Sequence, residues 1–141
     1  MLVEPQFRTK FGDVVWGTKA RLQRMLTFEQ CIANGQAEVG LIPAESAHTI
    51  NSIQLDSGPA FFEVFNLATT SGNPAIPFVN CLRNAVTALN PNASPHVHLG
   101  TTSQDLIDTT MMLALANIFD EISVNLMKIE EWLIKFTTKY K

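Results

Sequence analysis

From Asp105 to Tyr140 the chain contains neither glycine nor proline, whereas Pro91, Pro95 and Gly100 interrupt the segment just before it. Such a run predicts one long helix fed by a loop. Within it Met111, Leu115, Ile118, Ile122, Leu126, Ile129, Leu133 and Phe136 recur at steps of three and four, the spacing of one helical face. A second row, Leu113, Ala116, Val124, Met127 and Ile134, widens the stripe. At about 1.5 Å per residue the rod is ~50 Å long, more than the preceding elements can cover. Half of the stripe must therefore find partners outside this compact region, as in a helical bundle.

The rest of the chain reads as shorter helices. Residues 1–17 carry Pro5, Gly12 and Gly17 and read as an arm with one helical turn near Asp13–Trp16. Thr18 is expected to cap a helix with Leu22, Met25, Leu26, Ile32, Ala33, Gln36 and Val39 on its inner row, ended by Gly40. Gly35 inside it should cost roughly 1 kcal/mol relative to Ala unless a neighbouring backbone needs the space. Pro43 suits the first position of a third helix, with Ala44, Ala47, Ile50 and Ile53 facing inward and an end near Leu55. Ser57-Gly58-Pro59 restarts the chain into a short helix on which Phe61, Phe65 and Ala68 share a face. Thr69 to Pro74 reads as a polar loop, Ile76–Leu89 as helix, and Asn90–Pro95 as a connector. No strand-like alternation appears, so the expected class is all-α.

Composition excludes several functions. A net charge of −3 over 141 residues supplies no basic field for nucleic acid or an anionic membrane. No apolar run reaches membrane-spanning length and Met1–Pro5 lacks the apolar core of a signal peptide, so a cytoplasmic protein is expected. Cys31 and Cys81 are the only cysteines and suggest neither a disulfide framework nor a zinc site. His96-Val97-His98 has a His-x-His spacing, but no carboxylate or third imidazole stands at matching spacing, so no metal is expected. His48 reads as a surface residue.

The junction before the long helix has its own chemistry. Thr102, Ser103 and Asp105 are helix-starting residues. Ser103 lacks a Glu or Gln at the third position after it, where Leu106 stands, so it starts no capping box, whereas Thr102 with Asp105 has the looser Ser/Thr-x-x-Asp spacing. Gly100 permits a close backbone approach or positive φ. Unpaired N–H groups, a positive dipole end and hydroxyls suit a carboxylate or phosphate; a well-capped helix with no ligand is the plainer alternative. Asp105 and Asp108 read as favourable first-turn charges.

These residues carry a resemblance. His98-Leu99-Gly100-Thr101-Thr102-Ser103-Gln104-Asp105-Leu106-Ile107-Asp108-Thr109 resembles the first signature region of the fumarase/aspartase superfamily, in the form found in adenylosuccinate lyases and 3-carboxy-cis,cis-muconate cycloisomerases. Ala20-Arg21-Leu22-Gln23-Arg24-Met25-Leu26-Thr27-Phe28-Glu29 is similar to the N-terminal helix of the cycloisomerase branch. Ser71-Gly72-Asn73-Pro74-Ala75-Ile76-Pro77-Phe78-Val79 is similar to that branch's Gly-Asn-Ser-Ala-Ile-Pro segment. Pro74 replaces the Ser of that pattern. Adenylosuccinate lyases usually place a histidine near this loop and Ser71-Gly72-Asn73 has none, which favours the cycloisomerase branch.

The resemblance implies an N-terminal helical domain over residues 1–104, with substrate-side loops, followed by the first long helix of a central bundle over 105–141. That bundle assembles four subunits in the family, so a homo-oligomer through the 105–140 helix is expected. It implies a small carboxylate substrate: a muconate tricarboxylate closed to a lactone in aromatic catabolism, by addition beside a carboxylate, without metal or organic cofactor. Thr102, Ser103 and Gln104 match the segment that holds a substrate carboxylate, Ser71, Gly72 and Asn73 match a second substrate-side loop, and His98 matches the signature histidine, with a substrate-bonding or orienting role. The second histidine signature and the loop with the catalytic serine are not among the 141 residues. The chain is therefore expected to be an N-terminal fragment or truncated product, inactive alone. The alternatives are an adenylosuccinate lyase-type β-elimination enzyme and a non-catalytic helical oligomerisation module.

Overall fold

A computed structural model of the protein describes residues 8–55 and 59–140; the readings for residues 1–7, for the Ser57-Gly58 restart and for Lys141 lie outside them. Among the described residues there are α-helices and 3₁₀ turns and no strand. The fold is all-α, as the patterning requires.

The arm is more ordered than its composition suggests. Helix α1, Lys10–Trp16, runs for two turns because the Thr9 hydroxyl accepts from the Gly12 amide at 2.9 Å, a side-chain cap. Helix α2, Thr18–Glu38, follows with Gly17 at its N-cap and no side-chain cap, so Thr18 is the first helical residue and not the cap. Leu22, Met25, Leu26, Phe28 and Ala33 are buried along it. Val39, expected on the inner row, is 78% exposed. The helix ends one residue before it: Gly40 at φ 73° reverses the chain, its N–H donates to Ala37 O, and the Leu41 N–H donates to Gln36 O. This closure sends Ile42 inward in place of Val39.

Helix α3, Ala44–Ser52, has Pro43 at its N-cap, one position earlier than expected. Ser46, Ala47, Thr49 and Ile50 are its buried residues and Ala44, at the outer end of the first turn, is exposed. Ile53 and Leu55 are buried beyond the helix end. A 3₁₀ turn over Pro59–Glu63 precedes helix α4, Val64–Ser71. That change of winding breaks the i, i+4 register, so the expected face of Phe61, Phe65 and Ala68 is replaced: Phe61 and Val64 are buried, while Phe65 and Ala68 are half-buried. The Arg21 guanidinium lies 3.9 Å over the Phe65 ring. Helix α4 also takes in Thr69, Thr70 and Ser71, and the loop shortens to Gly72-Asn73-Pro74.

Helix α5, Ala75–Leu89, buries Phe78, Leu82 and Val86, and its Phe78 ring meets Phe61 with centroids 5.7 Å apart. A 3₁₀ turn at Ser94–His96 leads to helix α6, Ser103–Lys139, which packs its first half against α1, α2 and α5. Leu106 and Ala114 are its buried residues. From Ile122 to Tyr140 every residue is exposed.

Candidate functional site

The signature segment owes its shape to two left-handed positions separated by one residue, His98 at φ 59° and Gly100 at φ 71°. Glycine tolerates this conformation freely; histidine does so only when its surroundings hold it. The surroundings are specific. Arg83 of α5 donates Nη2–H to the Val97 carbonyl at 3.2 Å, and Gln36 of α2 donates Nε2–H to the Leu99 carbonyl at 2.7 Å. Between them, Nδ1 of His98 lies 2.6 Å from Glu29 Oε1 and 2.9 Å from the Thr101 hydroxyl. Three consecutive residues are thus each held by one polar side chain of the helical core.

Glu29 is 2% exposed, and burial of that degree needs a partner. Burial pushes its carboxyl above the usual carboxylate range, an effect opposed by the adjacent His98 and, less strongly, by Arg83. Glu29, Gln36 and Arg83 were absent from the candidate residues read from sequence. A signal existed for Glu29: it stands seven residues after Leu22, three after Leu26 and four before Ala33, a carboxylate on the apolar row of α2. A charge in such a position implies a buried partner, but sequence alone does not say which.

Thr102 is the N-cap of α6. The spacing read as merely loose closes a full capping box: the Asp105 N–H donates to Thr102 Oγ1 at 3.3 Å, and the Thr102 N–H donates to Asp105 Oδ2 at 2.8 Å. Thr102 and Gln104 are exposed and Ser103 is half-buried; the Ser103 and Gln104 amides have no acceptor among the described residues. The bend therefore faces solvent and retains two donors, but the Asp105 carboxylate already occupies part of the positive helix end. Gln104 Nε2 donates to Asp108.

The second loop is engaged locally. Ser71 Oγ donates to the Asn73 carbonyl at 2.8 Å, and Asn73 Oδ1 accepts from the Ala75 and Ile76 amides at 3.0 and 3.3 Å, starting α5. No hydrogen bond among the described residues joins Ser71 or Asn73 to His98, Thr102, Ser103 or Gln104. His96 Nδ1 pairs with Ser46 Oγ at 2.9 Å, and His48 is exposed, as read. Neither Cys31 nor Cys81 forms a disulfide among the described residues. Among the described residues no three His, Cys, Asp or Glu side chains converge on a point where a metal could sit, and no helix is long and apolar enough to cross a membrane.

Comparison with known proteins gives these features their setting. The all-α fold is similar to that of the fumarase/aspartase superfamily, which the signature segment also resembles. Within it the chain is similar to the 3-carboxy-cis,cis-muconate cycloisomerases. The curated enzyme of that name from Pseudomonas putida is 34% identical over 136 residues, covering 96% of this chain and 31% of the relative. The crystal structure of 3-carboxy-cis,cis-muconate lactonizing enzyme from Pseudomonas putida superposes with a TM-score of 0.69 at 33% identity, covering 80% of this chain and 26% of that one. An adenylosuccinate lyase of Methanocaldococcus jannaschii is 27% identical over 127 residues, 90% of this chain and 27% of its own. The chain thus spans about a third or less of the relatives it matches. No family model matches it.

Proposed function

We propose that these residues form the carboxylate-binding portion of a cycloisomerase resembling 3-carboxy-cis,cis-muconate cycloisomerase, acting on a small tricarboxylate of aromatic catabolism in the cytoplasm. The observation that carries the reading is the solvent-facing bend at the head of α6, whose Ser103 and Gln104 amides have no acceptor among the described residues. Donors fixed in advance at the positive end of a helix suit an oxyanion, and they cost no reorganisation when charge develops on it. Ser103 adds a hydroxyl, that of Thr102 becomes available only if it leaves the Asp105 carboxylate it donates to at 3.1 Å, and His98 stands four residues upstream of Thr102. Ser71 and Asn73 supply the second substrate-side loop; the Asn73 carboxamide nitrogen donates to nothing in the described residues and is the group it would offer.

Residues 1–104 act as the substrate-side domain and 105–141 as the first helix of a bundle that homologous copies complete. The support is the bare stretch of α6 from Ile122 onward, because an apolar rod of this size is normally covered. The second histidine signature and the serine loop that the resemblance implies are not among these residues, so the 141-residue chain alone is inactive; robust turnover by the purified chain would overturn this. An adenylosuccinate lyase-type elimination is the second reading, favoured by the shared signature and disfavoured by its lower identity. A purely structural helical module is the third, and it requires the bend to bind nothing.

Titrating a tricarboxylate into the ¹⁵N-labelled chain separates these readings. The Ser103 and Gln104 amides are expected to shift, and Asp105→Asn is expected to tighten binding by about twofold to fivefold by removing a like charge from the helix head. Absence of any shift at these amides eliminates the carboxylate site.

A further inference from the structure

The buried carboxylate of α2 serves no packing need, since an apolar side chain would fill its place between Leu22, Met25, Leu26 and Ala33 at lower desolvation cost. What it does have is one nitrogen of the signature histidine, at 2.6 Å, on a residue whose backbone is left-handed. A neutral imidazole carries its proton on one nitrogen, and the partner of the other decides which. We propose that Glu29 is the positioning residue of this site: by accepting the Nδ1 proton of His98 it holds the ring in the Nδ1–H tautomer and leaves Nε2 unprotonated, the nitrogen that meets the substrate.

Four observations bear on this assignment. The Thr101 hydroxyl, 2.9 Å from the same nitrogen, can accept from Nδ1–H or donate to it, so it is indifferent to the tautomer. The Glu29 carboxylate can only accept. Arg83 adds a nearby positive charge that favours the ionised form of Glu29. Nε2 makes no hydrogen bond among the described residues, and the His98 side chain is 12% exposed, so a restricted opening serves that nitrogen. When Nε2 takes up a proton, an N–H bond forms there, the ring becomes a cation, and the ionised Glu29 beside it balances the charge. The role rests on the carboxylate-binding reading above, but its signature is independent of it.

Long-range ¹H–¹⁵N spectra of the 141-residue chain, taken with the imidazole neutral, report the protonated nitrogen directly. The expected result is the Nδ1–H form of His98 in the wild type, retained in Glu29→Gln, whose carboxamide oxygen still accepts, and in Thr101→Val. In Glu29→Leu the ring is expected to revert mainly to the Nε2–H form, which an unrestrained histidine favours. A wild-type ring in the Nε2–H form, with Glu29 protonated and donating to Nδ1, overturns the assignment. So does a Glu29→Leu ring that stays Nδ1–H. Should Glu29→Leu fail to fold, the wild-type and Thr101→Val spectra decide: loss of Nδ1–H in Thr101→Val assigns the tautomer to the hydroxyl and rejects Glu29. Adding a tricarboxylate to the same samples keeps the two readings apart. Silent Ser103 and Gln104 amides with an Nδ1–H ring reject the binding site and leave Glu29 in place; shifted amides with an Nε2–H ring do the reverse.

Discussion

The two ends of the molecule use the same kind of sequence for opposite purposes. In α2 and α5 apolar residues three and four apart are buried: Leu22, Leu26, Leu82 and Val86 are each 1% exposed or less. In the second half of α6 the same spacing leaves Leu126 at 59%, Leu133 at 49% and Phe136 at 47% exposed. Local pattern is nearly identical in the two regions, so pattern cannot be what separates them; the presence of a covering surface is. Along the bare end, aromatic side chains settle for one another, with Trp132 stacked on Phe136 at 5.0 Å and Phe136 meeting Tyr140 at 4.6 Å.

The largest effect expected is therefore a contrast between two leucines. Leu82→Ala, in the packed region, should cost about 2–5 kcal/mol of unfolding free energy. Leu126→Ala should fall within about 0.5 kcal/mol of the wild type in dilute monomer. Urea unfolding measured at several protein concentrations checks both. If Leu126→Ala becomes costly as concentration rises, the bare stripe is being covered by further copies, because association stabilises by mass action; if it is costly at every dilution, the contrast itself fails.

Next in size is the polar hold on the signature segment. Gln36→Ala removes the donor to the Leu99 carbonyl and leaves that acceptor without its partner, for a loss of about 1–3 kcal/mol. The Gln36 carboxamide oxygen is itself buried without a partner among the described residues, which places the loss toward the low end. Hydrogen exchange of the amides around Gly100 should accelerate in the variant. An equal acceleration throughout α6 would mean that the segment is not held separately from the helix it introduces.

Much of this was legible beforehand, and the limits are physical. The long helix, the all-α class and the starts of α5 and α6 follow from breaker residues and apolar spacing, which act locally. The 3₁₀ turn at Pro59–Glu63 was not legible, because Phe61, Phe65 and Ala68 fit a helical face equally well until the winding changes. Of α1 only the turn near Asp13–Trp16 was legible, because its first turn depends on a single hydroxyl at Thr9. At the site, Thr102 and His98 were visible as motif residues, whereas Glu29, Gln36 and Arg83 are 69, 63 and 14 residues from their partners. Contacts of that separation leave only the trace of a polar residue in an apolar row.

A smaller effect should run against the usual direction for a carboxylate. Glu29 is raised above its ordinary range in the folded chain, so its contribution to stability is fully present below about pH 4.3, the ordinary Glu value, and is lost as pH rises through the folded value. Glu29→Gln has no such titration. The stability of the wild type relative to Glu29→Gln should accordingly fall as pH increases above that value. A relative stability that instead rises with pH would mean that His98 and Arg83 outweigh burial, and that Glu29 is ionised more readily folded than unfolded.

The smallest effect tests whether α2 is tuned at every position or only where it carries the site. Gly35 is exposed in the last turns of α2, one residue before Gln36, and a Cβ added there meets nothing within 4 Å. No neighbouring backbone needs the space, and its φ is not in the left-handed range, unlike Gly40 and Gly100. Gly35→Ala should then stabilise the chain by about 0.5–1 kcal/mol, through helix propensity and a less entropic unfolded state, read as a higher urea midpoint with an unchanged slope. The gain should also stiffen the turn that carries Gln36 and slow amide exchange near Gly100. A destabilised Gly35→Ala would mean that another surface lies against this face of α2, which would extend the need for a covering partner from the bare end of α6 to the packed half of the molecule.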